Sequence, residues 1–70
     1  MTTAADIAAD IGATIRAARR AHGLTQEQLA ELAGASTRTV REIEKGSGAS
    51  SLDTVIGVAA VVGVTIGIVP

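Results

Sequence analysis

Glycines at positions 23, 34, 46 and 63 cut this 70-residue chain into short stretches, and those before Gly63 carry a helical spacing of apolar residues. A glycine after a helix adopts the left-handed backbone that reverses the chain, so the punctuation predicts short helices joined by tight turns. Ile7, Ile11 and Ile15 recur four apart among alanines, the period of an amphipathic helix from about Thr3 or Asp6 to His22. Thr25-Gln26-Glu27-Gln28 is a capping-box pattern that opens a second helix, with Leu29, Leu32 and Ala33 as its expected buried stripe. Ser36 suits the N-cap of a third helix running to Lys45, with Val40 and Ile43 facing inward and Gly46 closing it. Ser51 is placed to cap a fourth helix from Leu52 to about Val62, with Leu52, Val55, Ile56, Ala59 and Val62 on one side.

Beyond Gly63 the pattern changes. Val64, Ile66 and Ile68 alternate within a β-branched run, which is a strand signal. A lone strand leaves its backbone N–H and C=O groups unpaired, so its partner is expected from a second copy of the chain, in a two-stranded ribbon that makes a homodimer. A frayed end and a membrane anchor are the competing readings, since no residue from Thr54 to Pro70 is charged and Gly63 and Gly67 have the small-residue spacing of membrane helix pairs. That uncharged stretch is short for a span and is interrupted by Gly57, Gly63 and Gly67, so no membrane partner is expected. The expected fold is all-α: a four-helix domain over residues 1–63 followed by a dimerisation strand over 64–70.

Composition removes several functions. With no Cys and a single His there is no disulfide framework and no zinc cluster, and no cofactor is expected. The absence of Phe, Tyr and Trp removes the stacking platforms that unpaired bases need, leaving duplex binding open. The Gly46-Ser47-Gly48-Ala49-Ser50-Ser51 run is a linker rather than a phosphate cradle, because no strand precedes it and no Gly-Lys-Ser/Thr follows. His22, alone at a helix end, suggests no catalysis, and no nucleophile with an activating base can be assembled, so an enzyme is not expected. Acids rather than bases at the start argue against a signal peptide, and the expected location is cytoplasmic, at the nucleoid.

The net charge of −1 hides a polarity. Arg16, Arg19, Arg20, Arg38, Arg41 and Lys45 all fall between Gly12 and Gly46, against Glu27, Glu31, Glu42 and Glu44. Any binding to DNA must therefore rest on placement of charge rather than on its sum. Two short helices on either side of a glycine turn, over about residues 25–44, match the helix-turn-helix layout, whose second helix enters the major groove.

Arg16-Ala-Ala-Arg19, Gly23-Leu-Thr-Gln-Glu-Gln-Leu-Ala-Glu-Leu-Ala-Gly34 and Ala-Ser-Thr-Arg-Thr-Val-Arg-Glu-Ile-Glu-Lys-Gly46 resemble the Xre or Cro/λ-repressor family. The resemblance covers about Ile15 to Val62 and implies a compact DNA-binding domain. A strand directly after the fourth helix is similar to the HipB-type antitoxins, small repressors whose terminal strands pair across a dimer and which also bind a kinase toxin. A HipA-like toxin kinase is therefore a second expected partner, beside double-stranded DNA and a second copy of the chain.

At 100° per residue the third helix gathers Ser36, Val40, Ile43 and Glu44 on one side and leaves Thr37, Arg38, Arg41 and Lys45 on the other. Arg can donate two parallel hydrogen bonds to guanine, and the resemblance places base contacts at Thr37, Arg38 and Arg41. Arg38 also has Glu42 four residues on, a compatible surface pair. Lys45 is expected on phosphate or in solvent. Arg16 and Arg20 lie one turn apart and are placed to flank the duplex, Arg16 on phosphate, with a solvated position the stronger reading for Arg20. Gln26, in the first turn of the second helix, is either a phosphate donor, as the resemblance implies, or a solvated helix start. Ser47 is read as a phosphate donor or as part of the linker. Continuing the isoleucine stripe by four residues puts Arg19 on the inward edge of the first helix, where a charge needs a partner, and Glu44 on the third helix is the candidate. Two functions from different classes follow: a homodimeric repressor on an inverted-repeat operator, and an interaction module that neutralises a toxin.

Overall fold

A computed structural model describes residues 1–70. It contains four helices and no strand: α1 Ala4–Ala21, α2 Gln26–Ala33, α3 Thr37–Lys45 and α4 Leu52–Val61. Local hydrogen bonds explain where the first three begin. Thr3 and Asp6 cap α1 reciprocally, side chain to backbone, and Thr25 and Gln28 do the same for α2. The Ser36 hydroxyl accepts from the Thr39 N–H at 3.0 Å and starts α3. Ser51 occupies the N-cap position of α4 but caps no backbone group; its hydroxyl pairs with that of Thr54 at 2.8 Å. Asp53, fully exposed in the first turn of α4, titrates below the ordinary carboxylate range, chiefly because of the Ser51 hydroxyl and then the N–H groups of Thr54 and Asp53.

The core consists of Ile15, Leu29, Ala30, Val40, Ile43, Val58, Ala59 and Val62, all aliphatic. Helix α1 packs on α3, α3 on α2, and α2 on α4. The α1–α3 contact is backbone to backbone. Gly12 sits so close to the carbonyl oxygens of Ile43 and Glu44 that a methyl group there would overlap them. Gly46, left-handed at φ 73°, would place a Cβ 2.6 Å from the Ala9 Cα. These two glycines let α3 lie close against α1, and so set the direction in which α3 presents its outer face.

Three expected stripes are corrected by the packing. Ile7 is half exposed, because four-residue steps drift by about 40° and carry it about 80° away from Ile15. In α2 the inward residues are Leu29 and Ala30 with Ala33 beside them, and Leu32 lies exposed. In α4, Val58 is buried while Leu52 and Ile56 are exposed. That helix is apolar almost all round, so its own pattern selects no face and its contact with α2 decides.

Val64–Pro70, expected as a strand, has no regular secondary structure in the single chain. One chain offers it no neighbouring strand to pair with. The Val64 N–H instead donates to the Ala59 carbonyl at 2.9 Å, Val64 and Ile66 pack partly against the core, and Ile68 and Val69 are exposed. No helix is long and apolar enough to cross a membrane.

Candidate nucleic-acid interface

Three element ends meet around an open cleft of about 820 Å³. The last turns of α1 bring Arg16, Arg19 and Arg20, the start of α2 brings Thr25 and Gln26, and α3 brings Arg41, Glu44 and Lys45, with Leu24 as the apolar contribution. Five cations thus face a single carboxylate among the lining residues, in a chain of net charge −1.

That carboxylate is already spent. Arg19 donates from Nε to Glu44 Oε2 at 2.7 Å and from Nη2 to Oε1 at 3.0 Å, a two-point contact, and from Nη1 to the Leu24 carbonyl at 2.8 Å. The side chains of Arg19 and Glu44 are only 11% and 3% exposed. The Glu44 hydrogen bond holds the Arg19 guanidinium above its already high ordinary pKa, against desolvation and with the charges of Glu44 and Glu27 in support.

Gln26 extends the network towards solvent. Its amide donates to Glu44 Oε1 at 3.2 Å and accepts from Arg41 Nε at 3.3 Å. Arg41 also lies 3.6 Å from the Glu27 carboxylate. Arg16, Arg20, Arg38 and Lys45 have no carboxylate within ion-pair distance, Glu42 included. The N–H groups of Gln26 and Glu27 lack intrahelical acceptors, as at any helix start, so cations and the positive end of α2 border the same space. Such a surface attracts a phosphate backbone.

The expected site residues fall into three places. Arg16, Arg19, Gln26, Arg41, Glu44 and Lys45 come together around the cleft. Thr37, half-buried, and Arg38, exposed, stand outside it at the first turn of α3. Ser47 is elsewhere: exposed, it accepts from the Ala49 N–H at 3.3 Å beside a small apolar notch formed with Ala8, Ile11, Ile43, Leu52 and Val55. Arg20 is exposed and lines the cleft beside Arg16, and the contact of Arg41 with Glu27 follows from no sequence pattern. Arg20 stands four residues after Arg16 on the same helix face, a signal the sequence carried.

A family model described as Helix-turn-helix matches residues 15–69. No curated protein matches the chain. With the helix pair, the glycine turn and the cationic cleft in place, this match over most of the sequence makes the chain a member of the helix-turn-helix family of the Xre and Cro type, a DNA-binding transcriptional regulator.

Proposed function

We propose that the chain is a homodimeric repressor of the λ-repressor type that reads an inverted-repeat operator, each copy setting its α3 into one major groove. The observation that carries this reading is the basic cleft at the start of α2, beside the exposed outer face of α3. Phosphate contacts fix the register and base contacts choose the sequence. In this division Lys45, Arg16 and Gln26 hold phosphate, with Ser47 a further donor from the loop, while Thr37, Arg38 and Arg41 meet base edges. The Arg19–Glu44 pair ties α1 to α3 and keeps the reading helix in place. The role needs no catalytic group and no cofactor, and it belongs in the cytoplasm at the nucleoid.

Dimerisation through the tail is supported by the alternation of Val64, Ile66 and Ile68 and by the exposure of Ile68. The same layout supports the HipB-type reading, in which the repressor also neutralises a HipA-like kinase. Capture of a kinase with the chain from its native host tests that second role, and repeated capture of none sinks it.

Selection of duplexes from a random pool tests the main reading. A selected site with inverted symmetry is the expected outcome. Arg38→Ala is then expected to cost about 1–3 kcal/mol and to relax preference at one base position. Lys45→Ala is expected to weaken all duplexes alike and to flatten the salt dependence by about one unit of slope. Equal losses for both variants on selected and random DNA would overturn the division of labour.

A further inference from the structure

We infer that the small apolar notch beside the loop of residues 46–51 is the seat for Ile68 of a second copy, so that dimerisation exchanges tails between two domains. This rests on the tail-mediated dimer proposed above and names the surface that receives the tail.

The notch holds about 190 Å³. Ile11 of α1, Ile43 of α3 and Leu52 and Val55 of α4 wall it, and no charged residue lines it. Its surroundings are apolar as well. Leu52 is 68% exposed, and Ile7 and Ile56, both partly exposed, stand one turn from Ile11 and Leu52 on the same helix faces. Along the loop the carbonyls of residues 46–50 accept no N–H from the protein, and the N–H groups of Gly48 and Ser50 find no acceptor. An apolar hollow edged by unpaired backbone fits an extended, uncharged segment.

The tail has that chemistry. No residue from Thr54 to Pro70 is charged. Drawn out as a strand, it carries Val64, Ile66 and Ile68 on one face. The first two pack against their own core, and Ile68 extends that face with nothing of its own chain beneath it, 98% exposed. The sizes agree, since an apolar cavity of about 150 Å³ takes benzene, and the notch therefore has room for an isoleucine side chain. Two tails paired only with each other make a marginal joint in water, because a two-stranded ribbon needs an apolar surface under it. The partner's notch supplies that surface. A chain's own tail is poorly placed to do so, for the notch flanks the start of α4 and the tail leaves from its end, about 15 Å along the helix. Two-fold symmetry makes the exchange reciprocal and closes the assembly at two copies. The cationic cleft lies at the other half of α1, so filled notches leave it open to DNA.

The test uses the full chain, which has no cysteine of its own. Chains carrying Leu52→Cys are mixed with chains carrying Ile68→Cys, left to exchange, and oxidised. A disulfide joining the two kinds of chain is the expected product. In a second arm, Leu52→Glu puts an acid in the first turn of α4, where it suits the helix, so the domain is expected to keep its melting temperature and to lose its dimer mass in light scattering. Should that variant melt early, the disulfide decides. Retention of the dimer mass by a folded Leu52→Glu, or oxidation that leaves the two kinds of chain unjoined, overturns the inference and leaves the tail-mediated dimer standing. An internal disulfide in a chain carrying both cysteines assigns the notch to its own tail and overturns the exchange. A monomer mass for the unaltered chain overturns the tail-mediated dimer along with it.

Discussion

Arg19 and Arg41 are both arginines paired with a glutamate, yet burial separates their roles. Arg19 gives three hydrogen bonds in a nearly closed site, whereas Arg41 makes a longer, exposed contact. Removing Arg19 strands the Glu44 carboxylate, which is 3% exposed, with Gln26 as its remaining side-chain donor. We expect Arg19→Met to lower stability by about 3–5 kcal/mol in urea denaturation, and Glu44→Leu added to it to recover much of that loss. An unchanged unfolding midpoint together with lost DNA affinity would make Arg19 a contact residue instead. The Arg19–Glu44 approach was legible because each residue continues an inward stripe on its own helix. No periodicity brings Arg41 to Glu27, since the two belong to different helices and neither faces the core.

At the scale of elements, the site depends on how closely α3 lies against α1. The Gly12–Ile43 and Gly46–Ala9 approaches leave no room for a side chain at either glycine. Gly12→Ala is therefore expected to destabilise the fold by about 1–3 kcal/mol, despite alanine being the better helix former, and to weaken duplex binding as α3 shifts. Thermal melts and a binding titration check both effects; a more stable variant with full affinity would show that the contact is loose. From its neighbours alone Gly12 reads as a weak point in a helix, because the surface it meets is about thirty residues away along the chain. Helix α4 shows the complementary case. With apolar residues on nearly every side, it carried no local instruction to bury Val58 and expose Ile56.

For the whole molecule, one chain carries one helix-turn-helix, so the two half-sites of the proposed operator would need two copies. Deleting the tail is a poor test of the proposed dimer, because Val64 and Ile66 also pack on the core of their own chain. Ile68 is 98% exposed, so a charge there would disturb the proposed pairing between copies without entering the fold. We expect light scattering to give a dimer mass for the unaltered chain and a monomer mass for Ile68→Lys. Operator binding should fall with dimerisation, since joined half-sites raise effective concentration. A variant that remains dimeric would move the interface away from the tail.

Sequence by itself determined where α2 and α3 start and stop, because a capping hydroxyl or a left-handed glycine makes its bonds within a few residues of itself. It also marked the cationic face of α3 and the inward-facing Arg19. Tertiary structure decided which sides of α2 and α4 are buried and that Gln26 links Arg41 to Glu44. The Gln26 link joins groups 15 and 18 residues apart across helix boundaries, and no local pattern records the angle at which two helices cross.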